Sequence, residues 1–187
     1  MGNGQVAEQR DREDEEKSIT LLRVSNGDSK YPGNFTIEEE KIINNNIIRP
    51  CLHLFSGSSD IGGHRVDFSN PRANIHEDVF DFLREDLGPV RSIIIDAPYN
   101  KRFADEYQKI GNTEEQFIIF ANATKTTILF DRIDRIDPEI IILKSWNYYC
   151  LKRYRIKKCY VCYAGGYRKP TFLIIMKRKQ RRLEVYL

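Results

Sequence analysis

No run of about 18 consecutive apolar residues occurs in the 187-residue chain, which excludes a membrane-spanning helix. The opening stretch MGNGQVAEQRDREDEE lacks the apolar core of a secretory signal, so the expectation is an intracellular, cytoplasmic protein with no membrane partner. Cysteine is sparse. In such a compartment the four present read as thiols rather than a disulfide framework. No internal repeat and no Pro-rich linker interrupts the chain, and its length suits one domain of ordinary size. Neither GxGxxG nor GxxxxGK[ST] is present, which disfavours a nicotinamide-dependent oxidoreductase and a phosphate-cradling loop.

What is present is enough for a core: 41% of residues are hydrophobic and 30% charged. Net charge is only +3, but it is unevenly placed. From Lys144 onward there are thirteen Lys or Arg against one acid, Glu184, so the residues before it are strongly acidic on balance. A basic C-terminal quarter is the electrostatic footprint of an anionic partner, nucleic acid first, or else a solvated surface.

Residues 1–34 are polar and acidic and read as a flexible tail, within which Ile19 to Val24 suit a short strand or helix turn. The remaining 35–187 read as one domain. Phe35 to Asn45 predicts a short helix capped by Thr36. CLHLF (Cys51–Phe55), RVDF (Arg65–Phe68), SIII (Ser92–Ile95) and EIIIL (Glu139–Leu143) are short apolar runs of the kind that form strands covered on both faces. Ile75 to Val79 suits a further short run, and Asp78 to Leu83 a turn or helix start. Glu114 to about Ile133 predicts a helix. Tyr154–Ala164 and Thr171–Arg178, joined by Gly165-Gly166-Tyr167-Arg168-Lys169-Pro170, predict an antiparallel hairpin. Together these predict a three-layer α/β fold, mostly parallel, with a C-terminal antiparallel hairpin.

In open α/β sheets ligands bind beyond the carboxyl ends of strands, and three features fall there. The first is Phe55-Ser56-Gly57-Ser58-Ser59-Asp60-Ile61-Gly62-Gly63, whose small residues allow a tight turn and close approach to a ligand. The second is a pair of acids. Asp67 can accept both hydroxyls of a ribose; Asp78, just before Val79-Phe80, can take an adenine amino group or can cap a helix. The third is Asp96-Ala97-Pro98-Tyr99-Asn100 after SIII. There a carboxylate and a carbonyl in a Pro-stiffened turn can accept the two hydrogens of a planar amine while Tyr99 stacks on its ring.

The order LFSG, VD, ED, DAPY resembles the amino-methyltransferases that use S-adenosylmethionine and carry a DPPY-type tetrapeptide. The likeness covers roughly Cys51 to Arg178 and extends to small DNA- and RNA-adenine-type enzymes with an HLFSG…RVD start and a DPPYN site. It implies a Rossmann-like class I methyltransferase fold, with S-adenosylmethionine as cofactor. It also implies that Phe55, Ser56, Gly57, Ser58 and Gly62 pass under the cofactor's methionine part, that Asp67 binds its ribose, and that Asp78 with Val79 holds its adenine. Asp96, Pro98 and Tyr99 would hold the methyl acceptor. Ala97 stands where the hallmark has its first proline. Only ten positions separate Gly57 from Asp67, so the helix usual between them is expected to be missing or reduced to a turn.

Cys159-Tyr-Val-Cys162 has metal-ligand spacing, but on a strand residues three apart face opposite sides, so buried thiols and no metal are expected. His53 is expected in or beside the core. Lys144, Lys152, Arg153, Arg168 and Lys169, interleaved with Trp146, Tyr148 and Tyr149, suit pairing with phosphates and stacking on bases. The expected function is methyl transfer to an exocyclic amino nitrogen of a nucleic-acid base, adenine N6 first, with a protein partner for target choice possible. The opposing expectation is a non-catalytic methyltransferase fold that binds nucleic acid or protein.

Overall fold

The computed structural model describes residues 18–25, 35–68, 70–97, 120, 122–164 and 169–180. Seven strands form one sheet: β1 (Ser18–Arg23), β2 (Cys51–Leu54), β3 (His64–Val66), β4 (Ser92–Ile95), β5 (Ile140–Ser145), β6 (Tyr154–Tyr163) and β7 (Thr171–Arg178). Their order across the sheet is β1-β6-β7-β5-β4-β2-β3. Every pairing is parallel except the two that β7 makes with β5 and β6. The expected mostly parallel α/β sheet with a terminal antiparallel hairpin is therefore present. Ser18–Arg23 lies inside the segment read as a tail, yet forms an edge strand because six backbone positions find partners along β6.

Three described helices flank the sheet: α1 (Ile37–Asn44), α2 (Val79–Phe82) and α3 (Ala123–Ile136). Alternation along the strands divides the core in two. Ile94, Ile140 and Ile142 pack with Phe35 and Ile43 of the α1 region. Ile93, Ile95, Ile141 and Leu143 pack with Val79 and Phe82 of α2 and Leu129 and Ile133 of α3. Every residue of β2 and β4 is buried, as strands covered on both faces require.

Local chemistry sets the helix ends. Thr36 and Glu39 form a capping box that starts α1. The helix expected from Glu114 is assigned only from Ala123, where the Asn122 side chain accepts the Lys125 N–H at 3.1 Å; residues 114–119 lie outside the described residues. It stops at Asp137, in the left-handed conformation (φ 55°), and Pro138 follows. The hairpin falls where expected, though its turn at 165–168 lies outside the described residues.

The chain leaves β2 to one side, towards β3, and returns to build β4 on the other. The carboxyl ends of β2 and β4 thus form the topological switch point, where open α/β sheets place ligands.

Candidate functional site

The β2 strand ends in a sharp backbone reversal. Phe55 adopts φ 59° and Gly57 φ 51°. For Phe55 that conformation costs about 1–2 kcal/mol, because its Cβ crowds the following carbonyl. Neighbouring bonds hold it: Ser56 N–H donates to Val66 O at 3.1 Å and Gly57 N–H to the Asp67 Oδ2 at 3.0 Å. Asp67 Oδ1 accepts the Asn70 N–H at 2.9 Å, so this one carboxylate ties the glycine loop to the end of β3. The loop then folds back over β2, and Gly63 N–H reaches Cys51 O at 3.0 Å. At Gly62 (φ 97°) a Cβ would lie 3.2 Å from the Cβ of His53, so both conformation and space call for glycine. No helix forms between residues 55 and 63, as the ten-residue spacing implies.

Asp96 continues β4 by one residue and faces the α1 side, two residues beyond Ile94. Ile94 pairs with Ile142 across the parallel ladder, which brings Lys144 beside Asp96 on that face. Lys144 and Glu39 form an ion pair at 3.0 Å, with side chains 7% and 1% exposed. The same Glu39 Oε2 accepts the Thr36 N–H at 2.8 Å, and the ammonium of Lys144 lies 5.0 Å from the centre of the Phe35 ring. On its other side Phe35 stacks on His53, with ring centroids 5.6 Å apart.

Three buried polar atoms at these strand ends have no hydrogen-bond partner among the described residues: Asp96 Oδ1, Ser56 Oγ and His53 Nε2. Orphaned buried polar atoms are rare and each calls for an explanation, a catalytic role or an ordered water among them. Burial pushes the Asp96 carboxyl up to about 7; the charge of Lys144 opposes the rise and that of Glu39 adds to it. Burial drops His53 to about 4, against the bond between its Nδ1 and Ile61 O at 3.0 Å. Its imidazole is neutral at neutral pH, with Nδ1 as the donor to that carbonyl.

The remaining expected site residues divide. Asp78 caps α2, and both cap bonds go to Oδ1, from Phe80 N–H at 2.7 Å and Asp81 N–H at 3.2 Å. Val79 is buried beside it. Ser58 and Gly62 line a polar cavity of about 380 Å³ against Glu40 of α1 and Arg72, a cavity that Asp96 does not line. Pro98, Tyr99 and Arg168 lie outside the described residues. Cys159 packs in the α2/α3 layer and Cys162 in the α1 layer, and burial raises both thiols.

The expected basic set does not hold together. Lys144 is buried and paired with Glu39 because it continues the inward-facing series Ile140, Ile142. Arg153 donates to Asp134 O at 2.7 Å and pairs with Asp137 at 2.8 Å. Lys152 and Arg153 precede β6, whose first residue pairs with the last of β7. They therefore sit at the sheet edge opposite Asp96. Besides the buried Lys144, Lys169 of the described set lies at the Asp96 edge, exposed, with its ammonium 5.6 Å from the Trp146 ring centre.

Sequence reading passed over Glu39. The signal was there in Thr36-x-x-Glu39, but a capping glutamate gives no hint of a partner 105 residues away. Compared with protein-family models, curated proteins and solved structures, the chain matches none.

Proposed function

We propose that this protein transfers the methyl group of S-adenosylmethionine to an exocyclic amino nitrogen of a nucleic-acid base, adenine N6 first. The observation that carries the reading is the buried Asp96 Oδ1 at the switch point, without a partner among the described residues and heading the segment DAPYN. The donor set suits the cofactor. Ser56 Oγ lacks a partner at the strained end of β2. Asp67, which the resemblance assigns to the ribose, stands at the end of β3 with its carboxylate accepting the Gly57 and Asn70 N–H groups. Asp78 Oδ2 takes no part in the helix cap and remains for the adenine amine.

When bound, S-adenosylmethionine supplies an electrophilic sulfonium methyl. The protein's part is to place the amine. An amino nitrogen conjugated to a ring is a poor nucleophile, since its lone pair is delocalised. Asp96 would accept one of its hydrogens and favour a pyramidal nitrogen whose lone pair points along the reaction line. With the cofactor bound, the nitrogen lone pair would form the new N–C bond as the S–C pair returned to sulfur, and the ammonium proton would leave to water. Alignment of this kind supplies a large part of the rate advantage. Lys169 and Trp146 offer one cation and one stacking surface at the same edge.

The test is calorimetry with S-adenosylmethionine, S-adenosylhomocysteine and NAD, together with transfer of a labelled methyl group to pools of DNA, RNA and protein. Cofactor binding with label in a nucleic-acid pool is expected. Label in protein alone would move the acceptor to a side-chain amide. Cofactor binding with no transfer to any pool would favour the non-catalytic module.

A further inference from the structure

We propose that Lys144, clamped by Glu39, is a positioning residue for Asp96, fixing the orientation and charge of that carboxyl without itself touching the methyl acceptor. The inference rests on the methyltransferase reading and deepens it.

The geometry is specific. Glu39 is held twice through Oε2, by its own helix cap at 2.8 Å and by Lys144 at 3.0 Å. Its place is fixed by α1 rather than by the ion pair. Lys144 is confined between this carboxylate and the face of Phe35. Asp96 is its neighbour on the adjacent strand and the same face. A buried ion pair is a poor source of stability, because two charges must leave water to make it. Its position beside Asp96, whose buried Oδ1 has no hydrogen-bond partner among the described residues, is what gives this one a role.

The titratable groups facing this corner come from four elements. Lys144 comes from β5 and Glu39 from α1; their charges balance each other. His53 from β2 and Cys162 from β6 are both neutral at neutral pH, the thiol being pushed up to about 12 chiefly by burial. Among the described residues Asp96 therefore feels burial first, then one cation that outweighs one anion. Removing either charge must move Asp96, in opposite directions.

The experiment follows the Asp96 carboxyl by ¹³C NMR in the full chain, with Asp96→Asn to assign the signal. Glu39→Gln keeps the cap and a hydrogen-bond acceptor for Lys144 but removes the anion, so the Asp96 midpoint is expected to fall. Lys144→Met is expected to raise it. A single neighbouring charge moves a buried carboxyl by about 1–3 pH units. Because Lys144→Met strands a buried carboxylate and can fail to fold, the double variant Glu39→Gln/Lys144→Met provides a neutral replacement, with a midpoint above the parent's. In parallel, the pH below which methyl transfer falls away should track the NMR midpoint, while affinity for S-adenosylhomocysteine stays within about twofold. A midpoint that stays put in Glu39→Gln and in the double variant overturns the proposal. So does a transfer profile that ignores a midpoint that has moved. Midpoints that move as expected in a protein that methylates nothing would leave the charge coupling standing and remove the methyltransferase reading instead.

Discussion

Burial lifts the Asp96 carboxyl to about 7 from an ordinary 3.8 and drops the His53 imidazole to about 4 from 6.5. Between about pH 4 and 7 native Asp96 holds a proton that the unfolded chain has released, so its contribution to stability falls as pH rises through that window. His53 works the other way. The unfolded chain takes up a proton that the native imidazole refuses, so stability is lost as pH falls from about 6.5 towards 4. The two slopes oppose each other over much the same range, worth at most about 4 kcal/mol for Asp96 and about 3 kcal/mol for His53. Relative to the parent, Asp96→Asn should lose stability on acidification from pH 6.5 to 4.5, and His53→Asn should gain it. Urea midpoints at three pH values would measure both; parallel curves for parent and variants would show that neither group is displaced. The same Asp96 variant bears on function. Losing the acceptor and its alignment should slow methyl transfer on the order of 10²-fold, with S-adenosylhomocysteine binding little changed. Full-rate transfer by Asp96→Ala would sink the proposed mechanism.

At the scale of elements, the turn after β2 and the cap of α2 each carry structure and a candidate contact together, and the two can be separated. Asn caps a helix about as well as Asp. Asp78→Asn should therefore leave stability nearly unchanged, yet it replaces half the carboxylate by a donor. Affinity for S-adenosylhomocysteine should fall by about 1–3 kcal/mol, read by calorimetry. Unchanged affinity would leave Asp78 as a cap alone. Gly62→Ala acts through the fold, since φ 97° and a Cβ 3.2 Å from His53 both resist it. A loss of about 1–3 kcal/mol is expected in denaturant midpoints. These elements also show what a sequence can reveal. SIII and Thr171–Arg178 could be bounded to the residue, because apolar runs between breakers leave little choice. The capping signal of α1 was as plain. β1 was harder to read, because an edge strand needs only one partner and two of its residues, Ile19 and Leu21, stay exposed. The corner formed by Glu39, Lys144 and Asp96 was not legible at all. It exists only once the register of β4 on β5 and the packing of α1 are set, and no local pattern encodes either.

Across the whole molecule, the distribution of charge in space differs from its distribution along the chain. The basic C-terminal quarter looks like one patch in sequence, but β6 carries it the length of the sheet. Its ten residues span about 33 Å. Arg153 and Arg178 both pair with Asp137, and Arg91 pairs with Glu139, at the edge where β5 begins and β7 ends. These cations brace the end of α3 and the start of β5. They face away from Asp96 and are already matched by carboxylates. Lys169, beside Trp146, is placed at the Asp96 edge. If nucleic acid is the acceptor, the salt dependence of its binding should therefore respond to one cation and not to the other. Each neutralised phosphate contributes about 0.7–0.9 to the slope of log K against log salt. Lys169→Ala should lower the slope by roughly that amount and also weaken binding of single strands. Arg153→Ala should leave the slope as it was and cost stability instead, since Asp137 and the Asp134 carbonyl lose a donor. Fluorescence anisotropy with a labelled oligonucleotide at four salt concentrations, beside a thermal melt of each variant, measures both quantities. A slope that falls in Arg153→Ala but not in Lys169→Ala would put the polyanion at the far end of the sheet, about 20 Å or more along the strands from Asp96, and a base could not then reach Asp96 from the strand so bound.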